Sequence, residues 1–187
     1  MEIQKDILVP ISDLVPPDAS TLHHRFLGHW LALRGDRAMP SFADLDPVDI
    51  PWALAHIFVV DILPGDDFVY RITGDNHTQR YGRNLKGARI TDIMKAEGAT
   101  AILKRWREVR DRPAGFFVVT DHMSTQGFHV LGERMVLPFA NDGVTPSHLV
   151  GITNFVSETS LATGLVGDQR VRLFRWSHIE HPSKTAE

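Results

Sequence analysis

The chain contains no cysteine, so disulfides, thiolate metal sites, cysteine nucleophiles and cysteinyl cofactor adducts are excluded together. It has little excess charge: a formal net charge of -3 gives no general attraction to polyanions, and nucleic acid is not an expected partner. No stretch approaches the ~18 consecutive apolar residues of a membrane-spanning helix. The opening MEIQKDILVPISDLVPP carries neither a basic segment nor a long apolar run, which leads us to expect a cytoplasmic protein with no membrane span. Enzyme signatures are missing too: G-x-S-x-G, a phosphate loop ending G-K-[ST], the dinucleotide fingerprint and H-E-x-x-H are all absent. No carboxylate pair or Ser/His/Asp set stands out by spacing, so no catalytic residue is assigned and the chain is not read as an enzyme.

What remains is a globular composition, 43% hydrophobic and 23% charged over 187 residues, enough for one domain with extensions. We divide the chain into an N-terminal arm (1–20), a central domain with its leading helix (21–157) and a C-terminal extension (158–187). The arm is rich in prolines and acids and reads as extended. From Thr21 to Arg34, Leu22, Phe26, Trp30 and Leu33 recur at helical spacing behind a Ser20 or Thr21 cap, and Gly35-Asp36 ends the pattern. Pro47 breaks the following connector, with a short helix starting near Asp46-Pro47.

The centre of the chain is Ile57 to Gly87. IFVVDIL and FVYRIT are β-branched and aromatic runs around the turn Pro64-Gly65-Asp66-Asp67, which predicts a hairpin. With a three-residue loop, Asp61 and Arg71 fall on one face and form a cross-strand ion pair. A short helix starts at Asp75-Asn76, and Gly82 and Gly87 punctuate the loop after it. Lys95 to Arg112 is the clearest helix: Ala99, Ile102, Leu103, Trp106 and Val109 form its apolar stripe, and Pro113 stops it. Three strands follow, Gly115–His122, Phe128–Phe139 and His148–Phe155, joined by short hairpin-like connections. Beyond them, RVRLFRW fits either a further strand or a short docking helix, with its arginines a solvated face.

Ten histidines raise the question of a metal. His23-His24 with His29, and His178 with His181, lack the three or four convergent ligands that zinc requires, and no metal site is assigned. Tyr70 and Tyr81 each offer an aromatic body with a polar tip, suited to a pocket wall or to ordinary packing. Trp106 reads as core.

The order of elements, with R-x-x-G at Arg71–Gly74, G-x-x-L-x-G at Gly82–Gly87, the segment RGDRAMPSFADLDP and the strand and turn ERMVLPFANDG, resembles a PAS domain of the bacterial stand-alone type. The resemblance runs from about Leu22 to Phe155. It implies an α+β fold, a PAS-like five-stranded antiparallel sheet with helices on one face, plus the N-terminal amphipathic helix and C-terminal extension. It also implies a sensory or regulatory module that binds a small molecule or a protein partner. The cofactor is unknown: a flavin photoadduct needs the missing cysteine, and the long helix has no histidine for haem of the usual PAS type. Any signal is expected to pass to a separate signalling protein or through self-association.

On this reading His77 lies beside the pocket and His129 on a sheet strand, which gives Tyr70, His77, Tyr81 and His129 as the candidate ligand-binding residues. The ligand is expected to be small and mostly apolar, held between the sheet and the segments Asp75–Tyr81 and Ile90–Met94. A homodimer is expected to bury Leu22, Phe26 and Trp30 of the first helix. The competing readings are a small enzyme using His77 or His129 as general base, and an interaction scaffold with a filled core.

Overall fold

The computed structural model describes residues 7–123, 129–157 and 170–179; of 121–123, 129–130, 156–157 and 170–172 only the backbone is described. Three α-helices, α1 (Thr21–Arg34), α2 (Asp75–Tyr81) and α3 (Ala96–Asp111), accompany seven strands: β1 (Ile7–Leu8), β2 (Ile57–Leu63), β3 (Asp67–Thr73), β4 (Ala114–Met123), β5 (His129–Phe139), β6 (His148–Ser157) and β7 (Arg170–His178). They form one sheet in the order β1-β7-β4-β5-β6-β2-β3. β1 runs parallel to β7, and every other neighbouring pair is antiparallel.

The sheet therefore has seven strands, not the expected five. Both additions come from the extensions. RVRLFRW settles as a strand because pairing with the edge of β4 gives its backbone groups partners, and the arm then adds Ile7–Leu8 to β7.

The two PAS helices, α2 and α3, lie on one face as expected, and the added α1 covers the other. Along each strand the side chains alternate between two separate cores. Ile57, Val59, Phe117, Met135, Leu137, Phe139, Val150 and Ile152 face outward, toward α1 and the connector after it. Phe58, Val60, Phe68, Tyr70, Phe116, Val118, Val136, Leu149, Phe174 and Trp176 face inward, toward α2 and α3. Burial on both faces explains why IFVV and FFVV run apolar without a polar alternate.

The first helix is capped as its sequence directs: Ser20 Oγ accepts from the Leu22 amide at 3.3 Å, and Gly35 ends the helix at φ 53°. Its apolar stripe is spent within the chain. Phe26 and Trp30 are 1% and 0% exposed, and the Trp30 indole N–H donates to the Pro138 carbonyl at 3.0 Å. Burying such a side chain is worth about 1.5–3 kcal/mol, so Phe26 and Trp30 anchor the helix to its own sheet and offer nothing to a second copy. Leu22 packs at the margin of the same core.

Candidate functional site

The inner face begins at the β2–β3 hairpin. Its loop has the expected three residues, Pro64 to Asp66, with Gly65 and Asp66 both at positive φ. That loop pairs Leu63 with Asp67 and hence Asp61 with Val69, so Arg71 reaches Asp61 diagonally, Nε to Oδ1 at 2.6 Å; the register shifts only beyond, at Val59/Val60. The expected ion pair is formed. Asp61 also lies 3.4 Å from His148 Nε2, while His148 Nδ1 meets Ser147 Oγ at 2.9 Å. That Ser147 oxygen also accepts the Asn141 amide at 3.2 Å, which makes the group a brace for the β5–β6 turn on the outer side.

After β3 the chain turns at Gly74 into α2. The requirement for glycine here is space: a Cβ would come within 2.1 Å of the Leu54 carbonyl oxygen and 2.6 Å of the Ala55 carbonyl. That close approach lets the Gly74 amide reach Ile57 O and the Asn76 amide reach Ala55 O. α2 ends at Gly82 in the left-handed region, φ 68°, and Leu85 then plugs the inner core.

His77 projects from α2 into this face and is 2% exposed. Its Nε2 donates to the His56 carbonyl at 3.0 Å, because a carbonyl can only accept. The same logic places a proton on His56 Nδ1, which donates to the Thr153 carbonyl at 3.1 Å, while the Thr153 amide returns a bond to His56 O. The Asn76 amide lies against the same ring, 3.4 Å from Nε2. Burial first, and the nearby Arg134 charge second, push the His77 imidazole down to about 4.

Phe58 is the hub. His77 and Tyr70 meet its ring edge-on at 5.4 and 5.9 Å, and Arg134 Cζ sits 5.6 Å over it. The ring fits because β6 has Gly151 beneath it, where a Cβ would fall 2.0 Å from Phe58 Cζ. Tyr70 is buried, its phenol pushed up by desolvation, and it stacks edge-on to Trp106 of α3 at 5.8 Å. Tyr81 packs half-buried at the rim of the same core.

The fold thus brings Tyr70 and His77 together around Phe58, with Tyr81 nearby. His129 opens β5, and its side chain lies outside the described residues. Sequence reasoning missed His56, Phe58, Gly151 and Arg134. A signal for Arg134 was there: Glu133-Arg134 is the only charged pair inside the apolar run FHVLGERMVLPF.

Between α3 and the sheet, a cavity of about 10 Å³ is lined by Ile102, Arg105, Trp106, Phe116, Val118, Thr120 and Arg134. That is room for about one water. Outside it, the hairpin tip is clasped to α3: Asp66 takes Arg107 at 2.7 Å and Arg110 at 2.5 Å, and both arginines hold its carboxyl below the usual carboxylate range. A larger open groove, about 500 Å³, lies at the opposite edge between Leu8–Ile11, Arg34 and His178, away from these residues. Among the described residues no group of three His, Asp or Glu side chains is placed to hold a metal, and no helix is long and apolar enough to cross a membrane.

A family model described as PAS domain matches residues 19–154, well over half of the chain. The chain belongs to the PAS domain family. In PAS terms the five strands β2 to β6 with α2 and α3 are the core, and β1, α1 and β7 are elaborations around it. Solved structures with similar chain paths include VqmA of Vibrio cholerae, 12% identical over 63% of this chain and 55% of that one, with a TM-score of 0.48. The Rhodobacter sphaeroides LOV protein is 10% identical over 62% of this chain and 71% of that one, TM-score 0.45. The LOV domain of Aureochrome1 is 14% identical over 59% and 88%, TM-score 0.43. At these identities the likeness is one of fold alone, and the chain spans little more than half of VqmA. No curated protein matches it.

Proposed function

We propose that this PAS domain is a sensory module that binds a small molecule on the inner face of its sheet and passes the signal, without catalysis, to a separate protein partner. The observation that carries this reading is the convergence of Tyr70, His77 and Arg134 on Phe58, polar groups gathered inside an otherwise apolar core between the sheet and α3. Tyr70, His77, Tyr81 and His129 are the ligand-facing set; for His77 the bond to His56 leaves Nδ1 as the ring's acceptor. The small-enzyme alternative loses support at His77, whose Nε2 proton is committed to a backbone carbonyl and whose ring is a poor base at neutral pH.

Native mass spectrometry of freshly purified protein tests the reading. A retained small molecule, lost from a folded Tyr70→Phe or His77→Ala variant, is the expected result. The cavity volume, about 10 Å³, favours a second reading, an interaction scaffold with a filled core. Bare protein in the spectrometer, together with no thermal shift from any compound, would establish that reading instead. Self-association belongs to the proposal, through a surface other than the Phe26–Trp30 face.

A further inference from the structure

Successive residues of a strand point to opposite faces, so the adjacent charges Glu133 and Arg134 of β5 are separated by the sheet itself. Glu133 goes to the outer side, where its carboxylate accepts the Ser20 amide at 3.2 Å and lies 3.5 Å from His23. Arg134 goes to the inner side, half-buried, with Nε donating to the Thr153 hydroxyl at 3.1 Å and its plane over Phe58. A guanidinium carries five N–H donors and no acceptor. Among the described residues no carboxylate pairs with it. Its charge still acts on the interior: it adds to the burial that lowers His77 and opposes the burial that raises Tyr70.

A half-buried cation with one hydrogen bond of its own keeps donors free, and an anion that meets them is favoured there over an apolar group. The carboxylates of Asp61, Asp66 and Asp67 each have another arginine. Arg134 stands beside the inner cavity, whose other walls are Ile102, Trp106, Phe116 and Val118 together with Arg105 and Thr120. Guanidinium and hydroxyl groups beside hydrocarbon and aromatic surface are the arrangement that suits a carboxylate carried on an apolar body.

We propose that the ligand of the inner face is a small monocarboxylic acid whose carboxylate is held by Arg134 and whose apolar body enters between Trp106 and the sheet. This rests on the ligand-binding reading above and sharpens it: a wholly apolar ligand would leave the guanidinium unanswered. Entry moves α3 outward from the sheet, against the exposed Asp66 clasp to Arg107 and Arg110, which water and salt weaken.

The test compares benzoate, phenylacetate and octanoate with their amides, by thermal shift and titration calorimetry, on the full chain and on Arg134→Gln and Arg134→Lys. We expect the acids to bind and the amides not, with acid affinity falling at least about tenfold in Arg134→Gln and partly kept in Arg134→Lys. Amides binding as well as acids, or full acid binding by Arg134→Gln, overturns the carboxylate assignment while leaving small-molecule sensing in place. If neither acids nor amides bind and the protein carries no retained molecule, both readings fall. The acid-to-amide comparison on the unaltered protein decides the matter even if Arg134→Gln does not fold.

Discussion

The side chain of His77 is bonded to the main chain of His56: Nε2–H meets the carbonyl oxygen at 3.0 Å, and the same oxygen accepts the Thr153 amide at 3.0 Å. One carbonyl thus ties α2, the turn before β2, and β6 together. Replacing His77 by Ala removes the second donor and opens space between Phe58 and Phe155, which pack on the ring at 5.4 and 5.6 Å. The expected loss is about 2–3 kcal/mol of stability, read by urea unfolding. A variant that unfolds at the wild-type midpoint would return His77 to a role independent of packing.

Two buried histidines set the acid limit of the fold. His23 on the outer side and His77 on the inner side are each lowered from 6.5 to about 4, in both cases chiefly by burial. Between those values the unfolded chain binds protons that the folded chain refuses, so stability rises with pH and is lost as pH falls from about 6.5 toward 4. At pH 5 each histidine costs about 2 kcal/mol relative to pH 7. Unfolding free energies measured at both pH values should differ accordingly, and His77→Asn should flatten the difference by roughly half. A profile unchanged from pH 7 to pH 5 contradicts the burial of both rings.

Glycines 74 and 151 occupy sites where a methyl group has nowhere to go, but the obstacles differ. At Gly74 the obstacle is the backbone of Leu54 and Ala55; at Gly151 it is the ring of Phe58. A ring can shift, whereas a hydrogen-bonded backbone cannot. Gly151→Ala should therefore cost about 1–3 kcal/mol and disturb the near-ultraviolet circular dichroism of the inner aromatic cluster. Gly74→Ala should cost more, and equal melting temperatures for the two alanine variants would refute this ranking.

Phe26→Asp is expected to unfold the protein, not to separate a dimer. Phe26 is 1% exposed and lies in the core between α1 and the outer face. An aspartate there forfeits the ring's burial and traps a carboxylate, a loss of more than about 4 kcal/mol. Circular dichroism and sedimentation together distinguish the outcomes: a folded Phe26→Asp monomer obtained from a wild-type dimer would restore α1 as an interface.

Much of the fold was legible locally. The spacing of Leu22, Phe26 and Trp30 and of Ala99, Ile102 and Trp106 gave α1 and α3; the turn at Pro64–Asp66 gave the hairpin; Asp46-Pro47 gave the 3-10 turn Pro47–Asp49. The glycine pattern that carried the PAS resemblance has its cause in the fold: Gly74 for a close backbone approach, Gly82 and Gly87 for positive φ. Tyr70 and His77 were found as inner-face residues, while the partners that define their surroundings, His56, Phe58 and Arg134, were not.

Sequence by itself determined what depends on neighbours along the chain: where α1, α3 and the strands β2 to β6 lie, where turns fall, and that no cysteine chemistry is available. Tertiary structure alone decided what depends on groups far apart in sequence. Strand pairing between Ile7–Leu8, Arg170–His178 and β4 made seven strands of five, because an edge strand's unpaired amides and carbonyls are met only by whichever segment arrives. Packing sent α1 to the outer face of its own sheet, since a stripe of buried aromatics is satisfied equally by its own chain or by another and periodicity does not distinguish them. Strand alternation put Glu133 and Arg134 on opposite sides, and only the positions of every other carboxylate determine that the arginine has none beside it among the described residues.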